Sequence, residues 1–280
     1  MRMKQLSRNP SSPPSLWSSP GELKERILWS LSCPPSDLWG VTPNDTASVL
    51  LALHWDKRSH NGPVILLNKR SPSVKQPGDL CCPGGSVDRL KDTILGAILR
   101  CPGLSFKRSG GWRACRGRIA GSAMSTLCLF WAACLRESRE EMGLRPWKVE
   151  YLGVLEPYRL RMFQRRILPM VGWIDNQERF RPNWEVARIV PIAISALLDR
   201  GRYCRFRIRN HPRGSERPEE NVFPCYIHED EKGREVLWGA TYNIVQSFLY
   251  KVMGFTSPEM DERPVVEGEL AHDYLTGSRK

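Results

Sequence analysis

Glu137, Glu140 and Glu141 stand within five residues, in the stretch Arg136-Glu-Ser-Arg-Glu-Glu-Met-Gly-Leu144. On an α-helix the offsets of three and four place all three carboxylates on one face. Like charges so placed repel, so helix stability alone disfavours the pattern. A hard divalent cation such as Mg²⁺ reverses that sign, because it takes several oxygen ligands at about 2.1 Å. The cluster therefore reads as a metal site on a helix, and a metal on a rigid element points to catalysis. The competing reading is a solvated helix face on which Arg136 and Arg139 act as counter-charges.

The helix that must carry these groups begins near Ser122. Leu127, Phe130, Trp131, Cys134, Leu135 and Ser138 fall on one side of it and the carboxylates on another. Gly143 suits a left-handed cap, and Leu144 supplies the accompanying apolar contact. Upstream, a loop runs from Ser71 to Gly85 with Pro72, Pro77, Gly78, Pro83, Gly84 and Gly85. Such a segment is excluded from helix and from inner strand. Gly84-Gly85 allows a backbone bend or close approach by a ligand.

The remaining elements alternate in type. Ser19-Pro20-Gly21-Glu22 reads as a helix start with a capping box, followed by the stripe Leu23, Ile27, Leu28 and Leu31. Strands are expected at 47–55 and 64–69, with Asn61-Gly62 as a turn between them. Further strands are expected at 150–155, 167–174, 186–190 and 204–209. A short helix fits 193–199, a hairpin joins 223–228 to 235–238, and a last helix fits 242–253 with Thr241 as N-cap and Gly254 as C-cap. From Leu95 to Gly121 glycines mix with Arg100, Lys107, Arg108, Arg113, Arg116 and Arg118, which reads as an inserted basic segment. Intermixed strands and helices without internal repeat favour one α/β domain, spanning 19–256. It is flanked by a basic Ser/Pro-rich leader over 1–18, expected to be disordered, and a C-terminal tail over 257–280.

Composition narrows the class. The net charge is +12 over 280 residues, which favours anionic partners without choosing among them. The nine cysteines are odd in number and contain no C-x-x-C pair. With no ligand spacing among the histidines, zinc and a disulfide scaffold are both disfavoured, and a reducing, cytoplasmic setting is expected. No apolar run approaches the ~18 residues of a membrane span. The strand around Arg205, Arg207 and Arg209 suggests nucleic-acid contact, but no recognised motif accompanies it, and no specific nucleic acid is expected.

Arg136-Glu137-x-x-Glu140-Glu141-x-Gly143-Leu144, with Pro83-Gly84-Gly85 upstream, resembles the Nudix hydrolase signature Gly-x5-Glu-x7-Arg-Glu-U-x-Glu-Glu-x-Gly-U, where U is apolar. All six fixed residues of the second half are present, and Ser138 replaces one apolar position. In the first half Gly85 and Arg136 are 51 positions apart, roughly 36 more than in the family. The expected first glutamate falls on Lys91, with Asp92 one place on and Asp88 three back. Lengthening a surface connection in this way costs little in closure entropy.

Leu66-Leu-Asn-Lys-Arg70-Ser71, Lys75, Gly78 and Pro83-Gly84-Gly85 further resemble the motif that coenzyme A diphosphatases of this superfamily carry before the box. Lys75 stands there for the usual Arg, and Cys82 for Phe. Pro182-Asn183-x-Glu185-Val186 and Trp238-Gly-Ala-Thr241 resemble segments of the same subfamily.

The resemblance implies a Nudix-type α/β/α sandwich with a mixed β-sheet, and a hydrolase of small-molecule diphosphates that uses Mg²⁺ or Mn²⁺. Coenzyme A or an acyl derivative is the implied substrate, with 3′,5′-ADP and 4′-phosphopantetheine as products. Another nucleoside-diphosphate derivative, or a catalytically weak binding module, is the alternative. Glu137, Glu140, Glu141 and the Gly85 backbone would hold metal. Arg136, Glu137 and Glu141 would be catalytic, Glu185 an additional base, and Arg70, Lys75 and Gly84 would bind substrate. A homodimer is left open.

Overall fold

The structure, a computed structural model, describes residues 17, 19–32, 34–35, 38, 40–56, 62–100, 109–116, 118, 121–160, 165–210, 219–269 and 274. Of the expected leader only Trp17 is among them, and it is buried; the Asn61 turn position, Lys107 and Arg108 lie outside them.

The central strand β1 (Thr46–Asp56) is continuously apolar from Val49 to Leu53, as a stretch covered on both faces must be. It pairs antiparallel with β2 (Gly62–Arg70) over Ala52 to Asp56, and parallel with β7 (Arg166–Ile174) over its first nine residues. Beyond β7 lie β5 (Val149–Val154) and the short β6 (Tyr158–Arg159); beyond β2 lie β3 (Leu80–Cys81) and β8 (Val186–Ala193). Parallel and antiparallel pairs mix, as expected.

Near Asn68 strand β2 no longer pairs with β1. β4 (Gly84–Ser86) takes its place, pairing with Ala47 to Val49, while Asn68 and Lys69 pair with β3. The sheet therefore splays at this point.

Side-chain alternation sends successive residues to opposite faces. Leu51, Leu53, Ile65, Leu67, Val171 and Trp173 pack on one face with Leu23 and Ile27 of α1 (Pro20–Ser30) and Ile244, Val245 and Phe248 of α5 (Gly239–Met253). Leu50, Ala52, Val64, Leu66 and Met170 pack on the other with Leu127, Phe130, Trp131, Cys134 and Leu135 of α4 (Gly121–Met142). Helices thus cover both faces of a mixed sheet, which is the expected α/β/α sandwich. Burying a Leu- or Phe-sized side chain contributes about 1.5–3 kcal/mol, so these two layers supply most of the driving force.

A second sheet runs β11 (Gly233–Trp238), β10 (Glu219–Asp230), β9 (Tyr203–Asn210), β12 (Val265–Glu269). The β10–β11 hairpin matches expectation. Within 257–280, read as a tail, β12 instead pairs parallel with β9.

The segment from Leu95 to Gly121, expected as an inserted basic segment, takes in the second half of α2 (Arg89–Leu99), all of α3 (Gly110–Arg116) and the start of α4. Asp88 caps α2 by accepting from the N–H groups of Leu90 and Lys91 at 3.1 and 3.0 Å, and Leu99, Trp112 and Cys115 are buried. The last helix starts at Gly239 with Trp238 as N-cap, so Thr241 lies inside its first turn; Gly254 ends it with φ 68° as expected.

Candidate active site

α1 opens as its sequence dictates, with the Ser19 hydroxyl accepting from Glu22 N–H at 3.3 Å. α4 is placed by its apolar face. Ser138, the departure from the signature, is fully buried on that face, and its hydroxyl donates to the Cys134 carbonyl at 2.6 Å. A polar residue is tolerated there because its one donor is satisfied inside the helix. Packing that face on the sheet turns Glu137 and Glu141 toward the splay between β2 and β4.

At the splay, Glu141 Oε2 accepts from Asn68 Nδ2 at 2.9 Å and from Gly84 N–H at 3.3 Å. Glycine is required at 84: its φ is 150°, and a Cβ there would lie 2.3 Å from the Ser48 carbonyl oxygen. Glu137 lies against the next residue, since a Cβ on Gly85 would meet its Oε1 at 2.6 Å. Glu141 is mostly buried, and burial, followed by the neighbouring Glu137 charge, pushes its carboxyl up to about 8. Arg70 and the Gly84 N–H oppose the shift, and Glu185 adds to it. Glu137 is also raised by burial, against the pull of Arg136.

Arg136 organises the other flank. Its Nε and Nη2 donate to the two oxygens of Asp92 at 2.8 and 3.2 Å, a two-pronged bond, and Nη2 also reaches the Ser86 carbonyl at 3.1 Å. Nη1 donates to Glu137 at 3.0 Å and Glu140 at 3.3 Å. Burial disfavours the guanidinium charge, but these carboxylates outweigh it and raise the Arg136 pKa. Asp92 has no solvent exposure and accepts from the Asp88 N–H at 2.7 Å as well. Counting from Gly85 leaves the first acidic position ambiguous; the geometry gives its partnership with Arg136 to Asp92, not Lys91, whose ammonium sits 3.5 Å from Asp88.

Among the described residues no three His, Cys, Asp or Glu side chains form a ready-made metal cluster. The expected trio is held apart: Glu140 rests on Arg136 and is half exposed, while Glu141 is bound by Asn68 and Gly84. The donor chemistry nonetheless suits a hard cation. Glu137 raises the proton affinity of Glu141 beside a partly exposed backbone bend, and a divalent ion would relieve that repulsion.

No family model matches the chain. A MutT/nudix family protein from Enterococcus faecalis superposes with a TM-score of 0.39 at 12% identity, covering 89% of this chain and 78% of its own. An uncharacterized Nudix hydrolase NudL from Pectobacterium atrosepticum is 25% identical over 229 residues, 80% of this chain and 91% of the relative. The NudL of Citrobacter koseri is 33% identical over 178 residues, 60% of this chain and 86% of the relative. The chain belongs to the Nudix hydrolase family. As a Nudix hydrolase it is an enzyme acting on diphosphate linkages of small molecules, and no helix among its described residues is long and apolar enough to cross a membrane.

Within this Nudix hydrolase the other expected residues divide. Arg70 is near enough to lower the Glu141 pKa, and its Nε donates to the Lys75 carbonyl at 2.6 Å. Lys75 itself is exposed on the same loop. Glu185 is half buried and acts electrostatically on Glu141.

Two contributors were not singled out in the sequence. Asn68 had a readable signal, a lone amide directly after the apolar run Val64–Leu67. Gln177 is buried and bonds Arg145 N–H and the Gly143 carbonyl, each at 2.9 Å, fastening the following loop to the end of α4; nothing in its local sequence marks it.

Proposed function

We propose that this Nudix hydrolase cleaves the diphosphate linkage of coenzyme A or an acyl derivative, releasing 3′,5′-ADP and 4′-phosphopantetheine or its acyl form. The observation that carries the reading is the convergence of Glu137, Glu141 and the Gly84–Gly85 bend at the sheet splay, with Arg70 and the 71–79 loop at the same edge. The segments that resemble coenzyme A diphosphatases converge on that loop too. Trp238 Nε1 donates to Asp79 at 3.1 Å, and Ser71 N–H donates to the Glu185 carbonyl at 2.8 Å.

In the reaction water adds to one phosphorus, the bridging P–O bond breaks, and two phosphomonoesters leave. Glu137, Glu141 and the Gly85 backbone are the ligands we assign to Mg²⁺ or Mn²⁺, with Glu140 joining if it leaves Arg136. The bound ion would supply positive charge against the diphosphate oxygens and acidify the attacking water. Arg136 holds Glu137 in place through its bonds to Asp92. A carboxylate takes the water's proton: Glu137, Glu141 or Glu185, all grouped at the splay. Arg70 and Lys75 supply cationic contacts to substrate phosphates.

The test is a substrate panel with the purified full chain in Mg²⁺ and in Mn²⁺, comparing coenzyme A, acyl-coenzyme A, NADH, ADP-ribose and nucleoside triphosphates. The highest kcat/KM is expected for coenzyme A or its thioesters. A clear preference for any other member would reject the substrate assignment while leaving the family chemistry intact.

A further inference from the structure

A cavity of about 540 Å³ lies across the neighbouring strands β8, β2, β1 and β7. Its size is that of a small-molecule subsite. Four aromatic side chains line it: His54 and Trp55 of β1, Trp173 of β7 and Phe180 of the loop after β7. The His54 ring meets Phe180 edge-on, with centroids 6.2 Å apart. Leu66 lines the cavity as well, and Asn68, two residues on along the same face of β2, donates to Glu141 at 2.9 Å. One strand thus serves both the cavity and the splay.

The lining also holds polar atoms without protein partners. Trp173 is 2% exposed, yet its indole N–H finds no acceptor among the described residues and is not closed off from solvent. A buried donor without a partner is unfavourable, so one kept beside a cavity points to an acceptor on a ligand. His54 Nδ1 lies 3.3 Å from the Ile174 carbonyl and must donate to it, because a carbonyl only accepts. In the neutral ring this leaves Nε2 as an acceptor, and no described residue donates to it.

Aromatic walls that hold a donor and an acceptor suit a flat ring whose edge carries both, which is the chemistry of a nucleobase. An alkyl chain would leave the Trp173 donor unpaired. An ammonium group is the other common guest of aromatic walls. It offers no acceptor to the Trp173 N–H, and Lys24 already sits 5.1 Å over the Trp173 ring, held by Glu150 at 2.9 Å.

We infer that the cavity is a nucleobase subsite, and that it holds the adenine of the substrate. The second half of this statement rests on the diphosphate-hydrolase reading above; the first half stands on the cavity's own lining.

The full chain is titrated calorimetrically with adenosine, which has the base and no phosphate, and then with pantetheine and with choline, which have no ring. Adenosine is expected to bind, and neither of the others to displace it. Trp173→Phe keeps a ring but removes the donor, and is expected to weaken adenosine by about three- to ten-fold. Phe180→Leu keeps bulk but removes a half-buried ring, and is expected to weaken it by about ten-fold. Phe180→Leu carries the test if Trp173→Phe does not fold. Both variants are expected to raise KM for coenzyme A by similar factors. Absence of adenosine binding, displacement by pantetheine or choline, or an adenosine affinity or KM indifferent to both variants would overturn the cavity assignment and leave the hydrolase reading standing. Adenosine binding weakened by both variants, with no turnover of any diphosphate, would sink the hydrolase reading and leave the nucleobase subsite.

Discussion

Burial beside Glu137 raises the Glu141 carboxyl from an ordinary 4.5 to about 8, so the fold holds this group more readily as the neutral acid. The sign follows from linkage. A carboxyl raised by folding costs nothing below about 4.5, costs progressively more as pH rises toward about 8, and costs its full amount above that. The penalty is of the order of a few kcal/mol. Glu141→Gln is therefore expected to melt above the wild type at pH 8 in EDTA, with the gap closing by pH 4. The same variant in Mg²⁺ is expected to lose at least about 10²-fold in kcat. A melting gap that did not change with pH would dismiss the electrostatic account. At Gly85 the neighbour is the flexible end of Glu137, so Gly85→Ala is expected to fold and to melt within about 2 °C of wild type. Displacing that carboxylate is expected to cost about 10²-fold in kcat/KM, read by initial rates.

The helices α2 and α4 are joined in two ways, by the Asp92–Arg136 bonds and by close approach at Gly96, where a Cβ would lie 3.4 Å from the Cys128 carbonyl oxygen. An alanine fits with little movement, but Gly96→Leu must separate the helices. That variant is expected to lose about 2–3 kcal/mol of stability by chemical denaturation and to lose activity with it. Near-normal melting and turnover would show that the helix pair does not support the site. Here the limits of sequence reading become physical. The apolar face of α4 and the strands of the sheet were legible because their periodicity is the packing itself. Glu137, Glu141, Gly84 and Gly85 were legible because their spacing survives in the chain. The role of Asp92 was ambiguous, because counting residues does not reveal which side of α2 meets Arg136. α2 was not foreseen as a helix, and the small size of Gly96 is what lets it meet α4. Thr241 was taken for a cap by residue type, although the turn out of β11 already starts the helix at Gly239.

At the scale of the whole chain, distant parts converge on the 71–79 loop. The Tyr274 hydroxyl and Trp238 Nε1 both bond Asp79, and the Tyr274 carbonyl accepts from Gln76 N–H at 2.7 Å. Asp79 is largely buried, and burial raises its pKa despite these donors. Arg188 ties the two sheets together, reaching Asp230 at 2.6 Å and Glu235 at 2.7 Å. Tyr274→Phe removes one donor from Asp79 and loosens the loop that carries Lys75. It is expected to cost about 1 kcal/mol in stability and to raise KM several-fold with little change in kcat. An unchanged KM would remove the loop from substrate binding. None of this was readable beforehand, because a clamp between positions 195 apart leaves no local pattern.

The bonds between Asp92 and Arg136 close a circuit of 44 positions. Each helix can wind up from its own neighbours, but Arg136 finds its acid only when the two have docked. In refolding from denaturant, catalysis should therefore return later than helical dichroism, because orienting Glu137 waits on a meeting that neither helix can arrange by itself.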